Sequence, residues 1–181
     1  MALARHEMIE PGWACIAGIH FQPEGGAAAV WIAHDKQTDV LHLWDCALFL
    51  REPPVVIAAG VNAHGRWIPI AWEKDAKDLI AQLLERGCNT LPEAAHETPI
   101  LADAISRDVW ERMRTGRFKV ERRLAEWLDE YKSFIREEGQ VPLKSHPLMS
   151  ATRHAVADMA YARRQGRKSK LGTNFPRIAM I

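Results

Sequence analysis

Cysteine is scarce in this chain of 181 residues, and no Cys-x-x-Cys pair occurs. The three cysteines, Cys15, Cys46 and Cys88, are odd in number, lie far apart and have apolar neighbours. Disulfide frameworks and structural zinc sites normally use even-numbered or closely spaced cysteines, so neither is expected to hold this fold together. We therefore expect reduced, buried thiols in a cytosolic protein.

Long apolar stretches are missing too. No uninterrupted run approaches the roughly 20 residues that a membrane-spanning helix needs, and the N-terminus lacks a signal-peptide pattern. With 48% hydrophobic and 26% charged residues, the chain can bury one core. We expect an irregular lead-in over residues 1–12, a single domain over residues 13–165 and a flexible tail over residues 166–181.

Positive and negative side chains are nearly balanced, with a net charge of +1. Basic residues are nevertheless concentrated near the end of the chain. The cluster comprises Arg163, Arg164, Arg167, Lys168 and Lys170. A short basic cluster is most often a solvated tail. It can instead be an arm that contacts DNA phosphates, with an affinity that falls steeply as salt rises. The cluster alone does not distinguish the two.

Short apolar segments separated by turn residues fill the first half of the chain. They predict an antiparallel meander of three strands over residues 13–21, 27–33 and 40–50. A helix, a strand, a second helix and a candidate fifth strand are then predicted over residues 53–63, 67–71, 76–87 and 88–91. Pro69 fits the fourth strand only if its nitrogen needs no partner in the ladder.

The second half of the chain reads as helical. Helices are predicted over residues 98–116 and 122–138, joined by a brief link at 118–120, and Ile100, Leu101 and Val109 lie on the apolar side of the first. A last helix begins at Ser145 as N-cap, with Pro147 in its first turn. This order of elements predicts an α/β fold with a mixed sheet flanked by helices, although several α+β folds share it.

Several segments of the chain resemble one protein family. They are GIHF at 18–21 with the AAVW that follows at 28–31, WIPIAWEKD at 67–75, RMRTGRFKV at 112–120, LAEW at 124–127 and LMSATRHAV at 148–156. In this order and spacing they resemble the C-terminal nuclease domain of phage terminase large subunits, the motors that package DNA. The resemblance covers about residues 13–163 and implies a ribonuclease-H-like mixed β-sheet flanked by helices.

The resemblance also implies a metal-dependent nuclease. Such enzymes hold Mg²⁺ or Mn²⁺ with several carboxylates, so that one ion activates water and another supports the leaving oxygen. In the family, carboxylates end the first strand, follow the WIPIAW-like strand and precede the last helix. The corresponding positions here are His20, Asp75, His146 and Pro147. Because only Asp75 keeps a carboxylate, weak or absent nuclease activity is expected.

Alternatives for these positions stay open. Asp75 can be a remnant, the N-cap of the following helix or a working ligand. In the implied fold His20 and His146 approach each other and Asp75, and two imidazoles with one carboxylate can bind Zn²⁺, Mn²⁺ or Fe²⁺. The other interpretation is that both histidines are unrelated replacements that followed the loss of cleavage.

The expected function follows from these substitutions. No GxxxxGK[ST] loop is present, so the chain alone is not expected to drive packaging. We expect a degenerate terminase nuclease-like domain of phage or prophage origin in the bacterial cytoplasm, with no resident cofactor, that binds DNA or packaging proteins such as the terminase ATPase or portal. The alternative is a metal-dependent DNA endonuclease with a rebuilt His/Asp site for Mg²⁺, Mn²⁺ or Zn²⁺. A third possibility is a prophage remnant without a role.

Overall fold

The computed structural model describes residues 10, 12–92, 98–134 and 146–166. Its centre is a five-stranded sheet with the order β4-β1-β2-β3-β5. The strands are β1 (Ala14–Phe21), β2 (Gly26–Asp35), β3 (Val40–Leu50), β4 (Ile70–Ala71) and β5 (Phe118–Val120). The three long strands form the predicted antiparallel meander, while β4 pairs parallel to β1 and β5 pairs parallel to β3.

The sheet is mixed because two tight turns connect β1, β2 and β3, whereas longer connections lead to β4 and β5. All eight residues of β1 are buried, as the nearly continuous apolar run at 13–21 predicts. Gly26 opens β2 at a φ of 95°, and a Cβ atom at this position would lie 2.0 Å from the carbonyl oxygen of Phe49. The turn between β1 and β2 therefore requires glycine.

In the described part of the chain, five helices flank the sheet. They are α1 (Pro54–Asn62), α2 (Lys77–Glu85), α3 (Pro99–Arg114), α4 (Ala125–Ser133) and α5 (Pro147–Ala157), with 3-10 turns at Lys74–Ala76 and Met159–Tyr161. Proline stands in the first turn of α1, α3 and α5, where its missing N–H costs no helical hydrogen bond. The Thr98 hydroxyl caps α3 by accepting a hydrogen bond from the Leu101 N–H at 3.2 Å. Among the described helices, none is long and apolar enough to cross a bilayer.

Helices cover both faces of the sheet. Helix α5 packs on β1 and β2, and α3 and α4 pack against α5. Gly18 of β1 faces α5, and its cross-strand partner in β2 is Val30. The next residue, Trp31, points to the opposite face, where it stacks on His64 just after α1, with ring centroids 3.7 Å apart. The core thus lies in two layers, one on each side of β1 and β2.

The contact between α5 and β1 is especially close. A Cβ atom on Gly18 would lie 1.9 Å from the carbonyl oxygen of Ala151 and 2.9 Å from the nitrogen of Ala155. Residues 148–155 of α5 are all buried. Glycine in the strand and alanines in the helix let the two backbones meet, and this contact fixes α5 over the carboxyl end of β1.

Three predictions about the elements need correction. Residues 118–120 are the edge strand β5 and not a link: Leu41 N–H donates to the Arg117 carbonyl and Glu121 N–H to the Leu43 carbonyl, at 2.9 and 3.1 Å. The predicted fourth strand shrinks to two residues, and the candidate strand at 88–91 contributes one isolated parallel bridge, from Thr90 to Ile70.

The helices differ from prediction at their ends and faces. His146 occupies the N-cap position of α5 without a capping side-chain hydrogen bond, while the predicted cap, Ser145, lies outside the described residues. Ile100 is 84% exposed and Leu101 38%, so these two residues lie outside the inner face of α3, whereas Val109 is buried as predicted and Ala102 is buried beside it. The end of the predicted helix at 122–138 and most of the predicted tail also lie outside the described residues.

Candidate metal centre

Three side chains with metal-ligating atoms converge at the carboxyl end of β1. They are His20, Glu73 and His154, and one nitrogen or oxygen atom from each lies within 4.8 Å of the others. His20 Nδ1 is 2.5 Å from Glu73 Oε2, and His154 Nε2 is 3.9 Å from the same oxygen. The two imidazole rings lie face to face with centroids 5.9 Å apart. We call these three side chains the His-Glu-His cluster.

The topology explains why the cluster forms. Strands β1 and β4 are parallel neighbours, so their carboxyl ends meet at the same edge of the sheet. His20 is the penultimate residue of β1, and Glu73 comes two residues after β4. His20 points to the same face as Gly18, two residues earlier, and the close approach of α5 at Gly18 brings His154 over that face.

Burial controls the electrostatics of the cluster. His20 and His154 are buried, at 4% and 1% exposure, and Glu73 is half-buried. Burial lowers the pKa of His154 to about 3; the negative Glu73 opposes this shift, and His20 and Arg153 add to it. His154 is therefore a neutral imidazole near pH 7, the state in which imidazole binds metals. The other oxygen of Glu73, Oε1, accepts a hydrogen bond from the Phe21 N–H at 2.8 Å, which fixes the carboxylate.

A second carboxylate, that of Glu130, lies beside the cluster but binds backbone N–H groups of α5. Glu130 of α4 accepts a hydrogen bond from the Met149 N–H at the start of α5, at 2.8 Å. Burial raises the pKa of Glu130, while N–H groups of Met149 and Leu148, and then His146 and His20, act in the opposite direction. Glu130 thus binds free N–H groups in the first turn of α5 and joins α4 to α5.

The positions implied by the resemblance are only partly brought together. His20 lies in the cluster. Asp75 is exposed on the 3-10 turn and makes no hydrogen bond or ion pair with any described residue. It also makes no capping hydrogen bond to α2, whose N-cap is Ala76. His146 sits at the start of α5, where Nε2 approaches the Ser133 carbonyl at 3.3 Å and the ring meets Phe134 edge-on; Pro147 follows it as the first residue of the helix.

The basic residues lie at the other end of β1. Arg163 pairs with Cys15 through two backbone hydrogen bonds of 2.7 and 3.0 Å, five residues before His20 along the strand. At about 3.3 Å per residue the separation is about 17 Å. Arg163 and Arg164 are exposed; Arg167, Lys168 and Lys170 lie outside the described residues. The described part of the basic run is therefore not at the cluster.

A cavity of about 640 Å³ lies between α3, α4 and α5. Trp110, Tyr131 and Phe134 supply its aromatic wall, and Arg107 and Lys132 lie at its rim. The chain has seven tryptophans, and Trp110, at 54% exposure, is the one that lies most open to solvent. Trp72 and Trp127, by contrast, are buried in the core. Trp110 is thus the tryptophan available to an external ligand.

Comparison with known structures identifies the fold. The P22 large terminase nuclease domain superposes with a TM-score of 0.78 at 20% identity, covering 86% of each chain. The chain has the fold of a large terminase nuclease domain. The predicted ribonuclease-H-like mixed sheet flanked by helices is thereby confirmed. No family model and no curated protein matches the sequence.

Other terminase nuclease domains with this fold have been solved with metals. The nuclease domain of the large terminase g2p from bacteriophage SPP1, with bound Mn, has a TM-score of 0.64 at 16% identity, covering 81% of this chain and 86% of that one. The large terminase nuclease from thermophilic phage G20c, with bound magnesium, has a TM-score of 0.58 at 13% identity, covering 81% and 82%. A structure of the same G20c nuclease holds zinc.

Two residues of the cluster were missed by sequence reasoning. Glu73 stands two positions before Asp75 in the segment WIPIAWEKD, and His154 lies within LMSATRHAV. The available signal for His154 was helical spacing, because Ala151 and Ala155, which meet Gly18, flank it on α5. For Glu73 the signal was its position two residues after the end of β4. A side chain at that position can still reach the end of β1.

Proposed function

We propose that this chain is a terminase nuclease-like domain of phage or prophage origin that binds DNA and has little or no Mg²⁺-dependent nuclease activity. The observation that carries the proposal is the composition of the His-Glu-His cluster, which contains a single carboxylate. Mg²⁺ prefers oxygen ligands in octahedral geometry, and two-metal cleavage needs several carboxylates to hold both ions. Two buried imidazoles do not replace them.

DNA contact is supported by the surface as well as by the fold. Exposed Arg163 and Arg164 can neutralise phosphates. The cavity beside Trp110 combines an aromatic wall with Arg107 and Lys132 at its rim, and aromatic faces stack on unpaired bases with little sequence preference. The proposal therefore predicts binding that involves phosphates and tolerates many sequences. A packaging protein, such as the terminase ATPase or portal, is the alternative partner.

The first test is cleavage of supercoiled plasmid by purified protein in Mg²⁺, Mn²⁺, Zn²⁺ or EDTA. We expect no metal-dependent nicking above the EDTA control, for the parent and for Glu73→Gln and Asp75→Asn alike. Circular dichroism would confirm that each protein is folded. Efficient Mg²⁺-dependent nicking by the parent, lost in either variant, would overturn the proposal of weak cleavage.

DNA binding is tested separately, in EDTA, so that cleavage cannot interfere. We expect fluorescein-labelled single-stranded DNA to bind and to quench tryptophan emission. Trp110→Ala should weaken binding, because base–aromatic stacking contributes about 1–3 kcal/mol per base. Trp110→Phe keeps an aromatic face and should retain most of the affinity. If the parent does not bind DNA, the packaging-protein alternative is favoured.

A second candidate function is a metal-dependent DNA endonuclease with a rebuilt site. The observation that favours it is the convergence of His20 with Glu73 and His154, in place of Asp75 and His146. Nicking with Mn²⁺ or Zn²⁺ but not Mg²⁺, abolished by Glu73→Gln and retained by Asp75→Asn, would establish this alternative. Glu73 and Asp75 lie two residues apart, so Glu73→Gln is the test variant and Asp75→Asn is its matched control.

A further inference from the structure

We infer that the His-Glu-His cluster is a site for one divalent transition-metal ion of the nitrogen-preferring class, such as Zn²⁺, and not for a pair of Mg²⁺ ions. The ion would bind whether or not the domain cleaves DNA. The inference goes beyond the proposed function, because it assigns a ligand and a structural role to side chains that DNA binding does not need.

The cluster does not fit the hard ions that the fold implies. Mg²⁺ keeps several waters and is held by carboxylate oxygens, whereas two of the three donors here are imidazoles. A second ion would need further carboxylates on the same edge of the sheet. Glu130 is occupied with the first turn of α5, and Asp75 makes no described contact with the cluster.

The same donors fit one softer ion. Two histidines and one glutamate form a recognised zinc ligand set, and they leave a fourth position open for water. Bonds of about 2.1 Å place tetrahedral ligands roughly 3.4 Å apart. The distances from Glu73 Oε2 to His20 Nδ1 and His154 Nε2, 2.5 and 3.9 Å, lie on either side of this value. Small side-chain rotations would therefore open one contact and close the other.

The hydrogen bonding of His20 points to the same conclusion. His20 is 4% exposed, and its Nδ1 lies 2.5 Å from Glu73 Oε2 without the geometry of a hydrogen bond. Buried polar atoms normally make hydrogen bonds, and each exception requires an explanation. An ion bound by both Nδ1 and Oε2 would account for the close approach of these two atoms. Any proton held at Nδ1 would leave for solvent when the ion binds.

Binding would link three elements of the fold. His20 belongs to β1, Glu73 follows β4 and His154 belongs to α5, so one ion would join both strand ends to the helix that packs on them. An ion that binds the folded state alone raises stability by mass action. At zinc concentrations about 100 times the dissociation constant, we expect a rise in Tm of about 5–10 °C.

The experiment uses the tag-free full chain, dialysed against EDTA and then titrated with Zn²⁺, Co²⁺ or Mg²⁺ in the absence of DNA. We expect one Zn²⁺ per chain by elemental analysis after gel filtration. Co²⁺ should give visible absorption of low-coordinate cobalt that Zn²⁺ abolishes. Millimolar Mg²⁺ should neither displace Zn²⁺ nor raise the Tm.

Two pairs of variants locate the ion. Glu73→Gln removes the carboxylate of the cluster, and Asp75→Asn removes the exposed carboxylate two residues along. His154→Gln removes the imidazole of the cluster, and His146→Gln removes the one at the start of α5. Loss of a partner outside the ligand set costs about 10–100-fold in affinity, so loss of a ligand should cost at least tenfold. The two controls should bind as the parent does.

Three outcomes would overturn the inference. They are a folded parent that binds no Zn²⁺, Zn²⁺ binding that Glu73→Gln leaves unchanged, and equal competition by Mg²⁺. If His154→Gln does not fold, Glu73→Gln decides the matter. This variant is expected to fold, because Glu73 is half-buried and glutamine has the same size as glutamate. None of these results bears on DNA binding, which is measured in EDTA.

Discussion

His42, on β3, is a half-buried imidazole whose ring stacks on Trp13 with centroids 4.3 Å apart. Burial lowers the pKa of His42 from 6.5 and the Lys119 cation adds to the shift, while Asp35, Glu121 and Glu10 oppose it. The folded protein therefore takes up this proton at a lower pH than the unfolded chain. The stability that this residue contributes is complete above pH 6.5 and is lost as pH falls below it.

A titration of the histidine ring protons by NMR should accordingly place the pKa of His42 below 6.5. Replacing His42 with Phe keeps the stacking and removes the proton. We expect the Tm of the parent to fall more steeply than that of His42→Phe as pH drops below 6.5. Parallel melting curves of the two proteins would contradict the expectation.

Asp45 and His64 form a buried pair on the face of the sheet opposite α5. His64 Nε2 lies 2.8 Å from Asp45 Oδ2, and Nδ1 lies 3.0 Å from the Gly60 carbonyl oxygen. Removing one member of a buried pair leaves the other without its partner, at a cost of about 3–5 kcal/mol. We expect this loss for Asp45→Ala in urea unfolding. Asp129→Ala, which breaks the exposed pair with Lys132, should cost less than about 1 kcal/mol. Similar losses for both variants would refute the argument.

Elements with many residues could be predicted from the sequence, and short ones could not. The three meander strands alternate with clear turn residues, and β3 begins and ends where predicted, at Val40 and Leu50. The three residues of β5 are too few to show an alternation of apolar and polar side chains. This strand is therefore recognised only from its parallel pairing with β3 in the structure. Ile100 was placed on the wrong face of α3 because apolar spacing does not show which side of a helix has a neighbour.

Gly18 decides how closely α5 approaches β1. A methyl group there would overlap the Ala151 carbonyl, which is backbone and cannot rotate away. Overpacking of this kind typically costs 1–3 kcal/mol, so we expect Gly18→Ala to lose at least about that amount in urea unfolding. Gly166→Ala, at an exposed glycine with nothing within 4 Å, is the control and should be nearly neutral. A Gly18→Ala protein as stable as the parent would mean that α5 packs less closely.

For the whole molecule, the location of the site could be predicted from the sequence, but only one of its three residues could. The end of β1 could be located from an apolar run that stops at a turn, and the family resemblance pointed to His20 at that end. Glu73 and His154 depend on where the chain turns after β4 and on how α5 is rotated over Gly18. Both are set by packing between elements far apart in sequence, which neither composition nor local period encodes. Asp75 was preferred because it keeps a carboxylate, and yet its side chain faces solvent.

The distribution of charge over the molecule gives a last prediction. Three arginines of α3 are paired with carboxylates of the same helix: Arg107 with Asp103, Arg112 with Asp108 and Arg114 with Glu111. Arg163 and Arg164 have no ion-pair partner among the described residues. They can therefore neutralise phosphates without first breaking an ion pair.

Each phosphate contact contributes about 0.9 to the slope of log affinity against log salt for duplex DNA. If both arginines contact phosphates, Arg163→Gln with Arg164→Gln should reduce the slope by about 1.8. The matched double variant Arg114→Gln with Arg117→Gln removes equal charge from residues that are paired with Glu111 and Asp39 and do not line the cavity, so its slope should change less. Fluorescence anisotropy with duplex DNA in EDTA, from low to physiological salt, measures both slopes. Equal slopes for the two double variants would place the phosphate contacts elsewhere on the domain.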